Sequence, residues 1–149
     1  MDKINLLDGV VLTSLKVIEN PLGDVFHAMK SSDNGYKGFG EAYFSTINYK
    51  QIKPCKKHLK MTLNLVVPVG EIRFVLFDDR HNSKSKGKYM DVSLSKKKYY
   101  RLTVPPGIWM SFKGLGSPLN LLLNLANLEH DPQEIIRSDN NKFKFNWDS

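Results

Sequence analysis

The stretch Ile52-Lys53-Pro54-Cys55-Lys56-Lys57-His58, together with Leu65-Val66-Val67-Pro68-Val69-Gly70 and Val104-Pro105-Pro106-Gly107-Ile108-Trp109-Met110, decides the fold. Two of these runs set a tight turn, Pro68-Val69-Gly70 or Pro105-Pro106-Gly107, against strand-forming residues. In the other, Lys56 and His58 stand two residues apart and share one face of a strand. Outward from these runs the hydrophobic period is mostly two. Val10 to Ile18, Gly40 to Ile47, Met61 to Val69, Glu71 to Asp78, Tyr89 to Leu94, Tyr99 to Val104, Ile108 to Phe112 and Leu119 to Leu125 read as strands, being rich in β-branched, aromatic and Leu residues. Asn20 to Gly23, Ser31 to Gly35 and His81 to Gly87 separate them with turn chemistry. Many short strands at near-regular spacing predict an all-β sandwich or closed barrel. Only Asp131 to Ser138 reads as helical, with Asp131 as N-cap, Pro132 at the first position and Gln133-Glu134 in the first turn.

The 149 residues, 41% of them hydrophobic, suffice for one domain with a sizeable core and predict a single unit over 1–149. A lone Cys55 excludes an intramolecular disulfide and any multi-cysteine zinc site, and points to a reducing compartment. Met1 to Val10 carries Asp2 and Asp8 and no long apolar run, unlike a signal peptide. Leu119 to Leu125, the longest nearly apolar run, is broken by asparagines and far too short to span a bilayer. The expectation is a cytoplasmic protein with no membrane partner. The net charge of +7 resides in lysines at 50 to 60, 84 to 88 and 96 to 98. No nucleic-acid motif accompanies them, and the latter two groups sit among Ser, Asn and Gly as solvated hairpin tips, so no nucleic-acid partner is expected. The Lys50 to Lys60 group precedes an apolar strand and is placed to hold an anionic diphosphate at the mouth of a pocket.

Asp8-Gly9-Val10, Leu22 to His27, Ile52 to His58, Leu65 to Gly70, Phe77-Asp78-Asp79-Arg80, Ser83 to Gly87, Pro105-Pro106-Gly107, His130 to Glu134 and Phe143 to Trp147 follow one another in a characteristic order and spacing. In this the chain resembles, over nearly its whole length, the dTDP-4-dehydrorhamnose 3,5-epimerase family of RmlC-like cupins. The resemblance implies a double-stranded β-helix (jelly-roll barrel) with a short C-terminal helix and with Phe143 to Trp147 as a terminal strand. It further implies a homodimer in which Val10 to Ile18 joins a neighbour's sheet. Metal-binding cupins use His-x-His with a nearby Glu and a fourth His beyond a Pro-x-Gly turn. Here those places read Lys56-x-His58, Leu63 or Asn64, and Met110, so neither a metal nor another cofactor is expected.

Aligned by motif, the family's general-base His falls at Lys56, its general-acid Tyr at about Asn124, its base-orienting carboxylate at Asp139 and its phosphate-binding Arg at Lys53. Lys56 is either a base of lowered pKa or a charged group that binds phosphate or points outward. His58, on the same face, is the stronger proton-transfer residue, its alternative being a hydrogen-bonded interior imidazole with no chemistry. Lys53 and Arg80 are expected to hold the diphosphate, His27 to lie near the mouth, and Trp109 to stack on a base or sugar or else to be core. Asn64 and Asn124, polar residues within apolar strands, are expected to meet sugar hydroxyls or backbone groups. Glu41 is a further acid on a strand facing the same cavity, or a solvated edge carboxylate. Together these imply a metal-independent epimerase or isomerase of a nucleotide-linked, dTDP-type 4-keto-6-deoxy sugar in surface-polysaccharide synthesis. The alternative is a catalytically silent sugar-nucleotide-binding cupin.

Overall fold

The computed structural model describes residues 4–139 and 145–148. In chain order its strands are β1 (Val11–Ser14), β2 (Val17–Ile18), β3 (Val25–Phe26), β4 (Glu41–Thr46), β5 (Ile52–His58) and β6 (Leu63–Val69). They continue as β7 (Glu71–Asp78), β8 (Tyr89–Ser95), β9 (Tyr100–Val104), β10 (Ile108–Gly114), β11 (Leu121–Ala126) and β12 (Ile135–Arg137). Two five-stranded antiparallel sheets form, ordered β1-β9-β6-β11-β4 and β12-β5-β10-β7-β8, with a small β2-β3 ribbon beside them. This is the expected jelly roll.

The core follows from alternation. Leu63, Leu65 and Val67 of β6, Ile72, Phe74 and Leu76 of β7, Met90, Val92 and Leu94 of β8, and Ile108, Met110 and Phe112 of β10 all enter one buried apolar cluster. The period of two sends every second side chain inward. Each such side chain contributes about 1.5 to 3 kcal/mol through burial.

Three local readings are revised. The expected strand Val10 to Ile18 is two strands, β1 on β9 and β2 on β3, with Val17 opposite Phe26. The expected C-terminal helix is a single 3-10 turn, Pro132–Glu134, followed directly by β12. The cap itself is present: Asp131 Oδ1 accepts from the Gln133 N–H at 3.0 Å. However, Ile135 and Ile136 are β-branched, and β5 offers them an open edge: Ile135 pairs with His58 and Arg137 with Lys56. At the C-terminus, residues 145–148 have irregular and turn backbone where a terminal strand was expected. Phe143 and Lys144 of that run lie outside the described residues.

Candidate active site

A bulge in β5 sets the site. Met110 pairs with Lys56 but Phe112 pairs with Lys53, so β5 holds one extra residue across Pro54-Cys55. Proline has no N–H for the ladder, and strands accommodate it at such irregularities. The extra residue returns Lys53 to the inner face shared by Lys56 and His58. At about 3.3 Å per residue these three span roughly 15 Å of strand.

Along this face opens a cleft of about 360 Å³. Tyr43 and Ser45 of β4, Asn124 of β11, Lys53 and Lys56 of β5, and Arg137 at the end of β12 supply its polar wall; Met110, Phe112 and Leu122 supply its apolar floor. Beyond Lys56 and Met110, which line both spaces, lies a small cavity of about 10 Å³ against His58. That is room for a single water.

His58 is 7% exposed. Its Nδ1 is hydrogen-bonded to Glu134 Oε1, and Glu134 Oε2 accepts the backbone N–H groups of Lys60 and Met61, each at 3.1 Å. Burial pushes the Glu134 carboxyl up, but the bonds from His58, Lys60 and Met61 outweigh it and leave the group below its ordinary pKa. An ionised carboxylate only accepts, so Nδ1 carries the proton and Nε2 the lone pair. Burial lowers the His58 pKa, and Lys56 and Arg137 add to this against the opposing pull of Glu134. The imidazole is therefore neutral near pH 7. Among the described residues its Nε2 is a buried polar atom without a hydrogen-bond partner. Leaving such an atom unsatisfied costs about 1 to 3 kcal/mol, which a ligand or water removes.

The cations differ in their commitments. Lys53 Nζ donates to the Thr46 carbonyl at 2.8 Å and lies 5.7 Å from the centre of the Phe112 ring. Neither Lys56 nor Arg137 has a side-chain hydrogen bond or close ion pair among the described residues. Burial, Arg137 and Lys53 lower the Lys56 pKa, with Glu134 opposing. Tyr43 stands directly across from Asn124. Burial and the nearby Glu41 raise the pKa of its phenol, which keeps the hydroxyl protonated and able to donate.

Of the residues singled out in the sequence, the fold brings Lys53, Lys56 and Asn124 to the cleft and His58 to the cavity behind it. It does not bring the others. Asp139 is exposed, and the carboxylate that holds an imidazole is Glu134. Arg80 forks onto Asp78 (Nε at 2.9 Å, Nη2 at 3.0 Å), neutralised at the end of β7. His27 is held in the segment after the β2-β3 ribbon, where its N–H donates to Lys16 and its carbonyl accepts from Tyr99. Asn64 is the structural alternative: its Oδ1 accepts from Arg101 and Thr103 and its amide donates to Gly35. Trp109 is buried, 2% exposed, its indole N–H on Asp79 at 2.8 Å and Lys57 over its ring. It lies on the outer face of its sheet beside Phe145 and Trp147. Glu134, Tyr43 and Arg137 were not read from the sequence as site residues. Glu134 was masked by its place in an apparent helix start; Tyr43 alternates with Ser45 toward the cleft, a period-two signal that could have found it.

No protein-family model matches the chain. The solved structure of a dTDP sugar isomerase from Desulfovibrio desulfuricans is 32% identical and superposes with a TM-score of 0.91, covering 97% of this chain and 95% of that one. Spore coat polysaccharide biosynthesis protein SpsL of Bacillus subtilis is 24% identical over 148 residues, 97% of this chain and 98% of its own. A sugar 3,4-ketoisomerase from Thermoanaerobacterium thermosaccharolyticum, solved in complex with TDP, shares the fold at 19% identity, with a TM-score of 0.74 over 89% of this chain and 90% of that one. Two facing antiparallel sheets with a polar cleft between them thus make an RmlC-like cupin. The identity and coverage go further: this chain belongs to the dTDP-sugar isomerase and epimerase family.

Proposed function

We propose that the protein is an isomerase or epimerase of a nucleotide-linked keto sugar, most simply a dTDP-linked 4-keto-6-deoxy sugar, in the synthesis of a surface polysaccharide. The observation that carries this reading is the lone pair of His58 Nε2. It is buried and unpaired, and Glu134 on Nδ1 fixes its tautomer. A neutral imidazole so held takes a proton, through one water in the small cavity, from carbon next to a ketone, the step shared by epimerisation and keto-sugar isomerisation. Tyr43, protonated and across the cleft, is placed to return one, and Lys53 with Arg137 forms a cationic mouth for the diphosphate. No step of this chemistry calls on a metal or other cofactor.

The reading includes a single domain acting in the cytoplasm, with a second copy of the chain as its partner. The β2-β3 ribbon leaves Ile18 49%, Leu22 98% and Val25 53% exposed, and β1, paired with β9 of its own chain, presents the free edge of its sheet, which supports a contact in which these N-terminal elements add to the sheet of that copy. Light scattering at micromolar concentration returning twice the chain mass is the expected result, and a monomer would remove the dimer.

One observation favours a binding-only module: the family's base and acid positions hold Lys56 and Asn124. Incubation with a panel of nucleotide-linked keto sugars, with products resolved by NMR, separates the two. A new isomer establishes the enzyme. Saturable binding with the sugar returned unchanged establishes the silent module, and absence of binding to every member refutes both.

A further inference from the structure

Lys56 is the side chain whose chemistry the proposed function leaves open. Three facts bear on it. It and Met110 are the side chains common to the cleft and to the small cavity at His58, so it stands where substrate and base meet. Apart from the imidazole, its amine is the polar side-chain group of that cavity, the remaining side chains there being Met61, Leu63, Val104, Pro105, Ile108 and Met110. It has no hydrogen bond or close ion pair among the described residues, whereas Lys53 is tied to Thr46 and Lys57 to Asp79. A half-buried cation with no carboxylate in direct contact suits a negative charge that arises only during reaction.

We infer that Lys56 is the oxyanion-stabilising residue: its ammonium binds the substrate's ketone oxygen while the adjacent proton passes to His58 Nε2 through one water in the small cavity. This rests on the keto-sugar reading and assigns the electrophile within it. The step balances without any co-reactant. The C–H pair becomes the C=C bond, the carbonyl π pair moves onto oxygen to give the enolate, and the proton resides on Nε2. Return of a proton to the same carbon from the opposite face gives the epimer. For the isomer, the neighbouring hydroxyl proton passes to the enolate oxygen and the proton on Nε2 is delivered to the former carbonyl carbon, leaving the new ketone where the hydroxyl stood. The diphosphate, bound by Lys53 and Arg137 at the mouth, does not need Lys56. Lowering of the Lys56 pKa by burial, Arg137 and Lys53 supports the role, because a poorly solvated ammonium donates its proton more fully to a developing oxyanion.

The test uses the full chain and two readouts. The first is isotope-edited infrared spectroscopy of a ¹³C-carbonyl nucleotide-linked keto sugar bound to His58→Asn, which holds substrate without converting it. The carbonyl band is expected at lower frequency than in solution, and back near the solution value in His58→Asn/Lys56→Met. The second is deuterium wash-in from solvent. Lys56→Met should slow it about 10²- to 10³-fold, the scale for losing one oxyanion donor. Nucleoside-diphosphate affinity should change less than threefold, and Lys56→Arg should recover part of the rate. An unshifted carbonyl band in His58→Asn, or wash-in by Lys56→Met within threefold of the parent, overturns the inference and leaves the isomerase reading standing. Failure of the parent to bind any keto sugar overturns both.

Discussion

Replacing Glu134 by Gln removes one charge from a carboxylate that takes three hydrogen bonds, from His58 Nδ1 and from the Lys60 and Met61 N–H groups. A glutamine has one acceptor oxygen and one donor nitrogen. If the oxygen serves the two backbone groups, the amide N–H faces Nδ1 and forces the proton to Nε2; if it serves His58, a donor meets two donors. Bonds to a charged group contribute about 1.5 to 3 kcal/mol each, and the amide retains part of them, so a net loss of about 2 to 4 kcal/mol is expected. In a chain of this length that lowers the melting temperature by about 6 to 12 °C. The pH dependence has a definite sign. His58 and Glu134 both have folded pKa values below their ordinary 6.5 and 4.5. Their contribution is therefore present above those values and lost as the pH falls through the folded ones. Glu134→Gln should keep the loss that begins near pH 6.5 and lack the part below 4.5. Catalysis should fall about 10²- to 10⁴-fold, as when an imidazole base loses the carboxylate that fixes its tautomer. Thermal melts across pH, with ¹⁵N NMR of the imidazole, check both. A melting temperature within a degree of the parent, with the proton still on Nδ1, would show that Glu134 neither anchors this segment nor fixes the tautomer of His58.

Tyr43→Phe, at a position 39% exposed, should leave the melting temperature nearly unchanged and slow turnover by about 10²-fold, measured by product NMR; an unchanged rate removes Tyr43 as the acid. Arg101→Met should cost about 3 to 5 kcal/mol in urea melts, because Arg101 is fully buried and its guanidinium binds Asn64, the Ala28 and Asn34 carbonyls and Asp33, pinning the 28–34 segment to the sheet. Trp109→Phe should lower stability while leaving nucleoside-diphosphate affinity unaltered in calorimetry, since the indole lies on the face away from the cleft. Lys53→Met should weaken that affinity by about 1.5 to 3 kcal/mol at low salt, with a smaller loss at high salt.

The period-two pattern and its turn residues made the sheets legible, because alternation is what a half-buried strand requires. The 3-10 turn was not legible: Asp131, Pro132 and Glu134 satisfy a helix start equally well, and the choice fell to the open edge of β5, a tertiary fact. The same holds for the site. Lys56 and His58 share a face by strand parity alone, whereas Lys53 joins them through the bulge at Pro54, which local pattern does not locate. Asn64, Arg80 and Trp109 share one reason for being misplaced. Each is a polar or amphipathic group that a ligand or the protein itself can satisfy. The partners of Asn64 and Trp109, Arg101 and Asp79, come from another strand and from the loop after β7, whereas the partner of Arg80, Asp78, stands only two residues before it and is legible in the sequence.

Solvent deuterium incorporation into a nucleotide-linked 4-keto-6-deoxy sugar, followed by NMR with the parent and with His58→Asn, tests most directly that His58 is a base acting on a keto sugar. Deuterium should enter at carbon beside the ketone with the parent and fall to the uncatalysed rate with His58→Asn, while nucleoside-diphosphate binding persists. Incorporation by His58→Asn at the parent's rate would contradict the account.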